Sequence, residues 1–211
     1  FSSIDRGGRY AFANQPVIAR WNLSRLAGAM LPLLGDDEDT ARSFAQQAID
    51  EFPSRFQAAF VRHFRPKLGL ATDHEDDGDL ITQLLDQMAA ERADFTNTFR
   101  ALADAAAGDE TRIVELLGEG GAWLSLWHAR LDEEGRAPGE RAEQMGAISP
   151  AVIPRTHLVE AALDAAVRGD LGPFNALEEA LRAPFVETEA NARYRVPPEP
   201  HEVVPATFCG T

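Results

Sequence analysis

From Pro16 to Leu181 the large apolar residues recur every three or four positions, and nowhere do they alternate with period two for long enough to make a strand. That periodicity confines the chain to an all-α fold, an irregular helical bundle. Pro16 suits the first turn of a helix that runs to about Leu31, with Asn14 as its cap and Pro32 and Gly35 as its stop. A second helix is expected over Asp37–Phe52, and Pro53 is expected to open a third that carries Phe56, Phe60, Val61 and Phe64. Further helices are read around Leu80, Ile81, Leu84, Leu85 and Met88, after the cap residue Asp94, around Trp123, Leu124, Trp127 and Leu131, over Thr156–Arg168, and over Pro173–Leu181. Gly108 and Gly169 are placed to end two of them. From Pro184 the composition shifts, and Pro197, Pro198, Pro200 and Pro205 predict an extended tail. The expected organisation is therefore an irregular segment over 1–15, a helical domain over 16–183 and a tail over 184–211.

The first helix is unusual. Val17, Ile18, Trp21, Leu23, Leu26, Met30 and Leu31 spread nearly all round its axis at 100° per residue, the pattern of a helix covered by neighbours on most sides. Burial there is the expectation.

At 211 residues the chain is long enough for one domain with a true core, or one and a half small ones. A net charge of −14 argues against a nucleic-acid partner, because phosphates demand a basic surface. No apolar run approaches the roughly 18 residues of a membrane span, so no membrane partner is expected. A first residue of Phe implies a preceding segment in the gene. Truncation or proteolysis explains it better than a cleaved export signal, since a single Cys offers no disulfide framework. Nineteen of the twenty basic residues are Arg, which together with the abundant Ala suggests a GC-rich bacterial genome.

Few residues are arranged for chemistry. Asp73, Glu75, Asp77 and Gly78 imitate the front of an EF-hand loop, but the twelfth position is Leu84, where a bidentate Glu belongs, so the stretch reads as an acidic loop. It joins Asp36–Asp39 and Asp132–Glu134 as clusters expected in solvated loops and at helix starts, where carboxylates suit the dipole. The five histidines are dispersed; His157, at a helix start after Arg155, is the one to watch, and packing is its expected role. Trp123 and Trp127 share a helical face and read as core. No glycine-rich phosphate loop and no catalytic-loop motif occurs, and the sole lysine, Lys67, sits in a helix-end context. No catalytic, cofactor-binding or metal residue is assigned.

The opening block Asp5-Arg6-Gly7-Gly8-Arg9-Tyr10-Ala11-Phe12-Ala13-Asn14-Gln15-Pro16, with Trp21-Asn22-Leu23 and Leu26-Ala27 after it, resembles the segment just downstream of the metal-binding loop in the selenoprotein O (SelO/YdiU) family. Lys67–Leu70, Ala93–Thr96 with Phe99-Arg100, Pro154–His157 with Gly169-Asp170, and Phe208–Thr211 agree in order and spacing. The resemblance covers nearly the whole chain and implies the C-terminal helical portion of a kinase-like protein adenylyltransferase. In the intact protein it implies ATP and magnesium or manganese as cofactors, held upstream, and protein substrates modified on Ser, Thr or Tyr. The chain's partner would then be the missing N-terminal catalytic portion, its location the cytoplasm, and its activity alone nil. Asp5, Arg9, Tyr10, Asn14 and Gln15 would support the end of an activation segment, with Arg9 and Asn14 pinning it by hydrogen bonds. Cys209 resembles the position of the family's selenocysteine or cysteine and is a candidate redox residue. The cysteine that pairs with it in some members would fall near Phe1, and this chain has no second Cys. Composition alone also fits a stand-alone acidic all-α interaction module without enzymatic activity. An apolar patch exposed around the first helix would favour the first reading over the second.

Overall fold

The computed structural model describes Asp5, residues 7–118 and residues 121–207. Among these, ten α-helices and three 3-10 turns occur and no β-strand. The helices are α1 (Gln15–Met30), α2 (Glu38–Phe64), α3 (Asp77–Glu91), α4 (Phe95–Ala106), α5 (Thr111–Leu117), α6 (Gly121–Glu133), α7 (Pro138–Ile148), α8 (Thr156–Val167), α9 (Gly172–Leu181) and α10 (Ala192–Arg195). They fall into two compact units, Phe1–Phe60 with Val204–Thr211, and Val61–Val203.

In the first unit, α1 starts where Pro16 predicts, but Asn14 does not cap it. A 3-10 turn, Phe12–Asn14, leads straight into the helix, so Asn14 is already helical in φ and ψ and its side chain turns back to Gly8. The expected burial of α1 also fails. No residue of the helix is buried; Val17 is 73% exposed and Trp21 48%. An apolar distribution on every side needs covering elements on every side, and the helix packs chiefly on the 3-10 turns at its two ends.

The helix break expected at Pro53 is absent. α2 runs 27 residues with Pro53 inside it. An interior proline removes one backbone bond and crowds the carbonyl four residues back, at a cost of about 3 kcal/mol. Contacts that span the site hold the helix together: Phe52, Phe56 and Phe60 form a ladder with centroid separations of 5.9 and 6.2 Å, and Arg55 pairs with Glu51 at 2.8 Å. At its start, Asp37 accepts from the Thr40 N–H and hydroxyl.

The second unit is built on α4, whose Thr98, Phe99, Ala101, Leu102, Ala103, Ala105 and Ala106 are all buried. Asp94 caps it as expected, accepting from Asn97 N at 2.9 Å. The small alanines let α5 and α7 approach closely, while α3 packs on α5 and α6. Trp123 and Trp127 stack at 5.8 Å, and each indole N–H donates to a backbone carbonyl at 2.9 Å, of Leu80 and Leu68 respectively. Gly69 ends the 3-10 turn Arg65–Leu68 with φ +75°. A Cβ there would lie 2.8 Å from Arg141, so glycine is required by both conformation and space. Three helices had no expectation: α5, only seven residues long, α7, and the single turn α10 within the proline-rich tail. That turn forms because Tyr194 joins Val152 and Leu177 in a small core, backed by Leu158 and Leu181.

Pro53→Ala restores the missing N–H of an exposed helix position and is expected to raise the thermal unfolding midpoint, corresponding to a gain of up to about 3 kcal/mol. An unchanged or lower midpoint in a calorimetric scan would show that the missing N–H at Pro53 costs the helix nothing.

Candidate functional site

The opening segment is organised by Asp5. Its carboxylate accepts from the backbone N–H of Arg9 at 2.7 Å and of Tyr10 at 2.9 Å, and these bonds hold its pKa below the ordinary value, the Tyr10 bond most strongly. Asn14 Nδ2 donates to Gly8 O at 2.8 Å and closes the turn that Gly8 makes at φ +65°. The Arg9 guanidinium lies 5.4 Å from the centroid of the Trp21 ring, with Arg25 at 5.6 Å. Tyr10 is exposed, and Gln15 is the exposed first residue of α1. Asp5, Arg9, Asn14 and Trp21 are thus gathered at one end of α1, where Trp21 and its second arginine were not anticipated.

Two charge networks in the second unit were not anticipated either. The Asp77 side chain is 0% exposed, held by Arg65 Nε at 2.6 Å, Arg130 Nε at 2.9 Å and the His74 N–H at 3.0 Å. Arg130 also pairs with Glu134 at 2.9 Å and donates to Thr72 O. Glu134 accepts from the Thr72 hydroxyl and from the Thr72 and Ala71 N–H groups. Burial alone would raise the Glu134 pKa; these donors and Arg130 outweigh it, and the net direction is downward. Asp77 and Glu134 therefore depart from the solvated-loop expectation, because guanidinium groups 53 and 4 residues away in sequence neutralise them. A cavity of about 340 Å³ beside this network is lined by His74, Asp79, Leu80, Leu126, Arg130 and Glu133, among others.

In the second network Arg155 grips Asp94 with two nitrogens, at 2.7 and 3.0 Å, and donates to Arg195 O at 2.8 Å. Arg100, Arg112 and Arg195 surround Glu187. For both carboxyls burial acts upward, and the arginine contacts outweigh it and hold them low.

These residues do not fit a nucleotide-metal site. Among the described residues no group of three or more His, Cys, Asp or Glu is arranged to hold a metal ion. Asp73 and Asp77 of the EF-hand-like loop are both engaged by Arg65. Lys67 donates to Ile148 O at 3.3 Å and lies 5.7 Å from the Phe99 ring, with its pKa lowered by burial. His157 is half-buried at the start of α8. Cys209 lies outside the described residues.

The fold and these networks define an all-helical protein stapled by arginine–carboxylate pairs, and comparison with known proteins says to which family it belongs. The family described as Protein adenylyltransferase SelO matches residues 2–182, and the chain belongs to that family. It is 48% identical to Protein nucleotidyltransferase YdiU of Bradyrhizobium sp. strain BTAi1 and 46% identical to that of strain ORS 278, in each case over all of this chain and 44% of the relative. The Rhizobium etli protein of the same description is 46% identical, with 43% of its length covered. The chain spans less than half the length of these curated relatives. No described helix is long and apolar enough to cross a membrane.

Asp77→Asn is expected to cost about 3 kcal/mol in urea unfolding, because the buried Arg130 and the partly buried Arg65 each lose the interior one of their carboxylate partners. Asp73→Asn, at a side chain 86% exposed, is expected to cost less than about 1 kcal/mol. Equal effects would refute the central role of Asp77. Acid sensitivity follows from the carboxyls held low. Asp94, Glu134 and Glu187 have folded pKa values below their ordinary 3.8, 4.5 and 4.5, so their contribution is complete above about pH 5 and lost as pH falls through the folded values. Unfolding free energy measured from pH 7 to pH 2.5 is expected to stay level and then drop below about pH 4, and Asp94→Asn is expected to flatten that drop.

Proposed function

We propose that this chain is the C-terminal helical portion of a cytoplasmic bacterial protein adenylyltransferase that transfers AMP from ATP to Ser, Thr or Tyr hydroxyls of proteins. The match over residues 2–182 carries the reading. In the reaction the hydroxyl oxygen attacks the α-phosphorus, pyrophosphate departs and the hydroxyl proton is released, with positioning and charge stabilisation supplying the acceleration. ATP and magnesium or manganese belong, in this reading, to the part of the protein outside this chain, which leaves residues 1–211 inactive alone. Their task is support. The turn closed by Asp5 and Asn14 fixes the path of the segment that enters α1, and within the second unit the Asp77 and Asp94 networks hold its own helices together. A free-standing interaction module accounts less well for α1, since none of its residues is buried.

The test is transfer of labelled AMP from ATP, with magnesium or manganese, by this chain and by the gene product extended to its true start. Label on the longer protein only is the expected result. Label on neither would remove the activity from this member and bring the interaction module forward.

A further inference from the structure

Between Asp5 and Asp36 the sequence has no acidic residue, while Arg6, Arg9, Arg20 and Arg25 supply four positive charges in a chain of net charge −14. This stretch contains α1, and its exposed apolar residues are large: Val17, Trp21, Leu26 and Met30 on the helix, with Tyr10 and Phe12 before it. Arg9 and Arg25 flank the half-exposed Trp21 ring, so the apolar surface is edged by cations. Arg20 reaches one carboxylate, Asp50, at 3.5 Å across an exposed contact. Gly28 lies seven residues beyond Trp21, hence on the same side of the helix, and a Cβ built there meets nothing within 4 Å. Glycine inside a helix costs about 0.5–1 kcal/mol relative to Ala, and nothing around Gly28 requires it. Close approach of a second backbone would.

We propose that the Val17–Trp21–Gly28 side of α1 is the seat for an apolar, acid-rimmed surface of the same polypeptide, contributed by the part that the longer relatives possess and this chain lacks. The inference rests on the reading above, in which that part belongs to one enzyme with this chain. Its chemistry follows from the face: apolar contact over Val17 and Trp21, backbone approach at Gly28, and Asp or Glu carboxylates opposite Arg9 and Arg25. Carboxylates there would complete two guanidinium groups that face the indole ring. A second copy of this chain is the competing occupant.

Hydroxyl-radical footprinting with mass spectrometry reads the seat directly. In the full-length protein Trp21 is expected to oxidise as slowly as the fully buried Trp127, and severalfold more slowly than in the 211-residue chain. Arg9→Glu with Arg25→Glu, and separately Gly28→Leu, are expected to restore fast oxidation of Trp21 in the full-length protein while Trp127 stays protected. Equal Trp21 oxidation in the long and short proteins overturns the proposal. Protection that appears only at concentrations where the protein self-associates overturns it in favour of a second copy, and protection indifferent to the charge reversal overturns the acidic rim. AMP transfer is scored separately: protection without transfer sinks the activity and leaves the seat standing, and transfer with an exposed Trp21 does the reverse.

Discussion

A buried carboxylate sets the structure of the second unit. Asp77, at the first position of α3, has no exposed side-chain surface and sits between Arg65, in the 3-10 turn that follows α2, and Arg130, in α6. Removing such a charge from water costs several kcal/mol, and the site is tolerable only because two guanidinium groups and a backbone N–H converge on it. That convergence fixes three things at once: the sharp return of the chain after α2, the start of α3 and the position of α6. The stacked tryptophans depend on the same registration, since their N–H groups reach carbonyls at Leu68 and Leu80 on either side of the loop.

The Asp94 network plays the corresponding part for the chain that follows α7. One carboxylate caps α4 and receives both arms of Arg155, which also holds the carbonyl of Arg195, as Asn97 does. Arg100 ties α4 to Glu187 and to the carbonyls of Gly146 and Ser149. The segment after α9 is thereby bound to the centre of the unit by polar contacts and by Tyr194, although its composition is that of a loop. Abundant arginine serves this architecture better than lysine would, because a planar fork can satisfy a carboxylate and a carbonyl together.

Asp73 and Asp77 of the EF-hand-like loop are engaged by Arg65, and Lys67 is directed to a carbonyl and a phenyl ring. Among the described residues, α1 is a helix with no buried residue. Its residues are those of an interior helix, and they stand in solvent.

Local rules made the all-helical fold legible. The three-to-four spacing of Leu80, Ile81, Leu84 and Met88, the capping carboxylate of Asp94, and Gly169 after α8 each act within a turn or two of their own position. The opening block likewise carried the family in its residues alone. The departures came where side chains meet in ways that periodicity does not record, some of them far apart in sequence and some within a turn. Pro53 reads as a break until the phenylalanine ladder on both sides of it is seen, and Tyr194 reads as tail until it meets Leu177. Asp77 and Glu134 read as solvated until Arg130 closes on both. Sequence periodicity can say that α1 is apolar on every side, but whether those sides are covered depends on neighbours that it does not record. Helical periodicity and the caps are short-range, so the sequence by itself determined the all-helical class, most of the longer helices and the family; burial and charge pairing are largely long-range, so only the tertiary structure decided which carboxylates are interior and which helix stands exposed.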